Sequence, residues 1–322
     1  MSPDAPRTVI TVVLFFGGLA LLYAGGEVFV RAAAALGKRL HMSPLVAGLT
    51  LVAFATSAPE LAISLNAALK DLPGLAIGNV IGSNICNLAL ILGVVTIIKP
   101  APVRQTLVRR DVLVMAITTL LVPGLLLDGV LSRIEGMLLI LSIVAYTVLT
   151  VWHARATRSQ RSPDEHLVPT ITDNVMLNIL LALTGIALLV TGSRIFVDAS
   201  AAIAQFIGVP DGVVGLSAAA LGSSLPELSA SIIAAKHGQP EMAAGNLIGS
   251  NIFNLLMILG ATSVVRPLAM GSVTLVDLGV MIAVTALALG LMLTRARLQR
   301  REGIVLVAVY SAYMAWLFAT SV

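Results

Sequence analysis

The stretch Gly78-Asn-Val-Ile-Gly-Ser-Asn-Ile-Cys-Asn-Leu-Ala-Leu-Ile-Leu-Gly93 returns later in the chain as Gly245-Asn-Leu-Ile-Gly-Ser-Asn-Ile-Phe-Asn-Leu-Leu-Met-Ile-Leu-Gly260, identical at 12 of 16 positions. The offset is 167 residues, and it carries residues 21–100 onto 188–267 without a gap. Upstream, Thr56-Ser-Ala-Pro-Glu-Leu61 matches Ser223-Ser-Leu-Pro-Glu-Leu228; downstream, Lys99-Pro100 matches Arg266-Pro267. Two unrelated apolar helices would share Leu and Val. Shared Pro, Glu, Asn, Ser and Gly at one offset mark an internal duplication.

Around these blocks the chain is too apolar for an ordinary hydrated surface. Of its 322 residues 58% are hydrophobic and 11% charged, against about 25% charged in soluble proteins. Ten apolar runs approach the roughly 20 residues a helix needs to cross hydrocarbon: 9–36, 44–69, 75–98, 112–127, 133–152, 174–205, 212–235, 242–265, 273–294 and 303–321. The sequence therefore predicts an all-α integral membrane protein with ten transmembrane helices. Residues 1–152 form a first five-helix repeat, 153–173 a linker and 174–322 a second repeat. Because five is odd, the second repeat enters the membrane from the opposite side, an inverted arrangement with a ligand site near the midplane.

Fourteen of the 20 Lys and Arg residues fall in one alternating set of connections, and four (Arg7, Lys70, Arg133 and Arg266) in the other. Basic residues collect in cytoplasmic loops, so the linker is expected in the cytoplasm and both termini outside a cell (inner) membrane. The lipid bilayer then accounts for the basicity, and no nucleic-acid partner is needed. Cys86 is the single cysteine, so there is no disulfide framework. Residues 1–30 could pass for a signal peptide, but they have a counterpart later in the chain and are read as a span.

Glu60 and Glu227 lie near the middle of the second and seventh runs. A carboxylate at the bilayer centre costs about 2.5–3.5 kcal/mol and needs a partner or a role. The internal arginines have nearer acids: Glu27 with Arg31 and Arg194 with Asp198 are spaced i, i+4 and are expected to pair within their own helices. Two carboxylates then remain without fixed countercharge, as a mobile-cation site requires. Pro59 and Pro226 cannot donate to the carbonyls of Ala55 and Gly222, which are freed beside Glu60 and Glu227. Thr56 with Ser57, and Ser223 with Ser224, stand four and three residues before each glutamate, on its helical face. Carboxylates, carbonyls and hydroxyls are the hard oxygen donors that suit Ca²⁺ and Na⁺.

Asn79, Ser83 and Asn87 share one helix face, and Asn246, Ser250 and Asn254 repeat it. This stripe either lines the cavity or hydrogen-bonds neighbouring helices. Gly78 with Gly82, and Gly245 with Gly249, read as close-packing pairs. No His/Cys metal set, no nucleophile–base pair and no Gly-Lys-Ser/Thr loop is present, which leaves no sign of an enzyme, a cofactor or ATP coupling. His41, His153, His166 and His237 fall at or near loops and are expected to be solvated.

With these motifs the sequence closely resembles the cation/Ca²⁺ exchanger superfamily, and within it the prokaryotic sodium/calcium exchanger branch. The resemblance spans all ten runs and rests on the two blocks 56–93 and 223–260. It implies ten transmembrane helices with both termini outside and a cluster of cation sites around Glu60 and Glu227. Thr56, Ser57, Ser223 and Ser224 would add hydroxyl and carbonyl oxygens, and Ala53 and Ala220 carbonyls. Asn87, Asn254, Ser83 and Ser250 would line the centre. Some relatives carry Asp at the place of Asn254; the Asn here removes a titratable group and makes the halves more alike. The expected activity is Ca²⁺/Na⁺ antiport by alternating access, in a chain acting as a monomer, with the long first and sixth runs as the moving pair. Proton/Ca²⁺ exchange through the same glutamates is the alternative.

Overall fold

The computed structural model describes residues 5–100, 105–156, 172–206, 221–271, 273–294 and 298–321. These are mostly helical. In chain order the helices are α1 (Ala5–Arg39), α2 (Pro44–Ala47), α3 (Ala53–Thr56), α4 (Ala58–Leu69), α5 (Pro73–Ile85), α6 (Leu92–Ile98), α7 (Gln105–Leu125) and α8 (Arg133–Ala156). They continue as α9 (Val175–Phe206), α10 (Leu225–Lys236), α11 (Pro240–Phe253), α12 (Leu259–Val265), α13 (Leu275–Thr294) and α14 (Arg300–Ser321). Wider π turns join some of them: Gly48–Val52 between α2 and α3, Cys86–Ile91 between α5 and α6, and Asn254–Ile258 between α11 and α12.

Eight described helices or joined helices are long and apolar enough to cross a membrane. The second expected run is instead a broken span, Pro44–Thr56 and Ala58–Leu69, bent by 42°. The seventh, 212–235, falls partly outside the described residues, and α10 is its described part. Most of the expected linker is likewise undescribed, while 153–156 continue α8. One feature departs from an all-α reading: Val130–Leu131 pairs antiparallel with Leu268–Ala269.

Local sequence explains where these helices begin. Pro73 and Pro240 open α5 and α11, where a missing N–H costs nothing. Ser132 with Glu135 forms a reciprocal cap at the start of α8, and Thr274 with Asp277 does so for α13.

Packing sorts the spans into centre and periphery. Pro73–Ile98 and Pro240–Val265 are 72% and 78% buried along their most apolar window, the other six 17–39%. The two duplicated blocks are thus the middle of the molecule. Their closeness depends on glycine: a Cβ on Gly245 would lie 2.4 Å from the Leu45 carbonyl oxygen, and one on Gly249 2.5 Å from that of Leu49. The expected packing role holds for this pair. Gly78 and Gly82 make no such approach to any described atom; the counterparts of Leu45 and Leu49, at 212 and 216, are outside the described residues.

Helices α1 and α9 lie along each other at the periphery, also on glycine. Cβ atoms on Gly18 and Gly25 would fall 2.7 Å from Phe196 N and 2.8 Å from Leu189 N. Gly185 and Gly192, their counterparts at the 167-residue offset, meet Phe29 Cβ at 2.7 Å and Leu21 Cβ at 2.8 Å.

Of the two expected intrahelical ion pairs, Glu27–Arg31 forms. It also engages His237, whose Nε2 lies 2.9 Å from both Glu27 oxygens, so this histidine is not simply solvated. Arg194 and Asp198 form no such pair; both are exposed on the wall of a cavity of about 520 Å³ between α4, α9 and α10. Exposed pairs gain little over hydration.

Overpacking a tight helix crossing costs about 1–3 kcal/mol. Gly249→Val is expected to lower the unfolding temperature of the detergent-solubilised protein by several degrees. Gly279→Ala, facing open space on α13, should leave it within about a degree.

Candidate cation-binding site

Proline sets the geometry. Pro59 and Pro226 occupy the second positions of α4 and α10, and the residue ahead of each helix leaves helical geometry: Ser57 has φ −82°, ψ 4° and Ser224 φ −89°, ψ 2°. Glu60 and Glu227 therefore sit in the first turn of a helix, where unsatisfied N–H groups make the backbone electropositive. Both are about 1% exposed. Among the described residues neither carboxylate forms an ion pair, and the two helix starts face each other closely enough for Ser57, three residues before Glu60, to reach Glu227.

The break also redirects the hydroxyls. Thr56 ends α3 and Ser57 lies in the bend, so they do not continue the helical face of Glu60 as the spacing suggested. They reach across the molecule. Ser57 Oγ donates to Glu227 Oε1 at 3.1 Å, and Thr56 Oγ1 donates to Asn246 Oδ1 at 3.2 Å. From the other half, Ser223 Oγ donates to Asn79 Oδ1 at 3.5 Å and lies 3.4 Å from Ser83 Oγ. Ser224 Oγ makes no counterpart of the Ser57 contact.

The amide stripe divides by function. Asn79 Nδ2 donates to the Glu60 carbonyl at 3.2 Å and to Ser64 Oγ at 3.0 Å; Asn246 Nδ2 donates to Ser231 Oγ at 3.0 Å. These two are interhelical braces. Asn87 and Asn254 differ: each is about 1% exposed and keeps an Oδ1 with no partner. Ser83 and Ser250 are buried beside them, and Ala53 is buried with its carbonyl accepting from Ser57 N. Ala220 lies outside the described residues. Of the two carbonyls expected to be freed by proline, that of Gly222 is taken by the Ser193 hydroxyl from α9, because the kink turns it toward that helix.

Two pairs of polar residues escaped the reading of spacing. Ser64 and Ser231 are fully buried acceptors for the braces, and at the centre Asn84 accepts from Asn254 and donates to the Asn251 carbonyl. Both pairs obey the 167-residue offset, the signal by which they could have been found. They were hidden because Asn84 and Asn251 lie one residue off the i, i+4 stripe.

Oxygen atoms are left over at the centre. Glu60 Oε2, Glu227 Oε2, Asn87 Oδ1, Asn251 Oδ1, Asn254 Oδ1, Ser224 Oγ and Ser250 Oγ are buried without a hydrogen-bond partner among the described residues. Leaving one such group unsatisfied costs about 1–3 kcal/mol, more when charged. No described group of three or more His, Cys, Asp or Glu residues could hold a metal. The donor set is hard oxygen throughout, the chemistry of an alkali or alkaline-earth cation.

The model of a family described as sodium/calcium exchanger protein matches residues 10–152 and 177–319, the second stretch displaced by 167 from the first. The chain belongs to the sodium/calcium exchanger family. It is a transporter chain and a multi-pass membrane protein, with cation/Ca²⁺ antiport as the family's activity. It is 35% identical to the putative antiporter CaxA of Alkalimonas amylolytica, covering 97% of this chain and 100% of the relative. It is 32% identical to the sodium/calcium exchanger MaX1 of Methanosarcina acetivorans, covering 96% and 99%. The solved sodium-calcium exchanger NCX_Mj, soaked with Na⁺ and Ca²⁺, superposes with a TM-score of 0.80 at 31% identity, covering 95% of this chain and 98% of that one.

Because Ser57 donates to Glu227 while Ser224 makes no counterpart bond to Glu60, the two serines should differ when no cation is bound. In chelator without Na⁺, Ser57→Ala is expected to destabilise the protein by about 1–3 kcal/mol, and Ser224→Ala by less, as read by thermal unfolding.

Proposed function

We propose that this chain exchanges Ca²⁺ for Na⁺ by alternating access, with Glu60 and Glu227 as the central ligands of both ions. The carrying observation is the pair of buried carboxylates that have no countercharge among the described residues, ringed by oxygens that find no partner there. Two glutamates neutralise one Ca²⁺ or two Na⁺. In a low-dielectric interior the two ions compete for the same charge, so both cannot remain, and that competition couples their fluxes. Thr56, Ser57, Ser223, Ser224, Ser83, Ser250, Asn87 and Asn254 complete the ligand set with neutral oxygens, together with the carbonyls of Ala53 and Ala220.

The architecture that goes with this reading is two inverted five-helix repeats, 1–152 and 174–322, with ten spans, a cytoplasmic linker and external termini. It is supported by family matches displaced by 167 residues and by braces that recur at that offset, Asn79 with Ser64 and Asn246 with Ser231. The long glycine-faced pair α1 and α9 is the mobile element against the site helices. Na⁺ is favoured over H⁺ as counter-ion by the naming of MaX1 as a sodium/calcium exchanger and by the Na⁺ and Ca²⁺ soaks of NCX_Mj.

In proteoliposomes an outward Na⁺ gradient should drive ⁴⁵Ca²⁺ accumulation, whereas a pH gradient alone should not; the reverse would assign the exchange to protons. Glu60→Gln and Glu227→Gln should each reduce Na⁺-driven uptake to background. Normal uptake by either variant would sink the two-glutamate site.

A further inference from the structure

We propose that Asn84 is a positioning residue of the cation site, fixing which end of the Asn254 amide faces the ion; this rests on the two-glutamate reading above. An asparagine amide fits nearly the same volume in two orientations 180° apart, with oxygen and NH₂ exchanged. For a cation ligand the difference is large. One orientation offers an oxygen, the other two N–H groups whose positive ends oppose the ion. A carboxylate has no such choice, since both of its terminal atoms are oxygens. A site that uses Asn must therefore settle the orientation before the ion arrives.

A chain of hydrogen bonds settles it here. The backbone carbonyl of Asn251 can only accept, and Asn84 Nδ2 points to it at 3.5 Å. With its NH₂ committed, Asn84 turns its Oδ1 the other way, where it accepts from Asn254 Nδ2 at 3.1 Å. Asn254 must then direct its own oxygen away from Asn84, and that Oδ1 is the atom left buried without a partner. Asn254 opens the π turn Asn254–Ile258, which packs against α4, the helix of Glu60. Orientation is thus passed from a fixed main-chain acceptor through Asn84 to a neutral oxygen on a turn packed against the helix of Glu60.

The relay runs in one direction. Asn251, the counterpart of Asn84, spends its Nδ2 on the Leu247 carbonyl of its own helix at 2.8 Å and does not orient Asn87. The duplicated sequence therefore makes one half's amide the positioner of the other half's ligand, without the reciprocal contact.

The test is equilibrium ⁴⁵Ca²⁺ binding to the purified full-length chain, in the wild-type and Asn254→Asp backgrounds, with the unfolding temperature of each ion-free variant recorded. Asn84→Ala should weaken Ca²⁺ binding about tenfold in the wild-type background, the equivalent of one hydrogen bond that preorders a ligand. In the Asn254→Asp background the loss should stay below about twofold, because nothing is left to orient. Should Asn84→Ala not fold, Asn84→Ser carries the same expectation, since the short hydroxyl cannot span the Asn251 carbonyl and Asn254. Unchanged binding in the wild-type background would overturn the proposal. An equal loss in both backgrounds would overturn it too, by reducing Asn84 to a packing residue. If the wild-type chain bound no Ca²⁺ at all, the two-glutamate reading would fall first, a result distinct from either of these.

Discussion

Glu60 and Glu227 bring two carboxyl groups into the same buried space, and the described protein supplies neither with a positive partner. Each has been taken out of water at considerable cost, and two carboxylates charged together there would repel each other. What stabilises them is partial: a helix N-terminus beneath each, and for Glu227 the Ser57 hydroxyl. Among the described residues no basic side chain pairs with either. That shortfall, more than any single ligand, is what the proposed cation site rests on.

The surrounding structure is organised to hold that shortfall in place. The bend at Ser57 points hydroxyls of the first half at side chains of the second, and Ser223 does the converse. Asn79 and Asn246 then tie the glutamate helices to the central helices through Ser64 and Ser231. A helix carrying an uncompensated charge would otherwise drift toward water. Here each is fastened by groups that come from elsewhere in the fold, so the site cannot be dismantled one half at a time.

Much of this was legible in the chain. The offset of 167 placed the duplicated blocks, the two glutamates announced themselves by their cost in an apolar run, and proline announced the breaks. The structure differed where sequence spacing assumes an unbroken helix. Thr56 and Ser57 were read on the face of Glu60, but the bend sends them across to Asn246 and Glu227. The Gly222 carbonyl reads as freed by Pro226 and is taken by Ser193, from a helix that local sequence cannot place beside it. His237 was read as solvated and meets Glu27, 210 residues away. Asn84 and Asn251 stand inside the most visible repeat block but one residue off its i, i+4 stripe, and the use of Asn84 depends on the other block standing opposite. Local periodicity reveals what a helix presents; it does not reveal what stands opposite.

The glycine seam between α1 and α9 has a further consequence. Interlocking side chains give a helix interface a register, a set of notches in which one position along the axis is preferred and its neighbours are penalised. Gly18, Gly25, Gly185 and Gly192 are such notches over two turns of each helix, with Phe196 and Leu189 seated against the first two and Phe29 and Leu21 against the others. A seam of this kind holds the two backbones at one separation and one alignment. In the proposed exchange cycle α1 and α9 are therefore a single beam, in which neither helix moves without carrying the other.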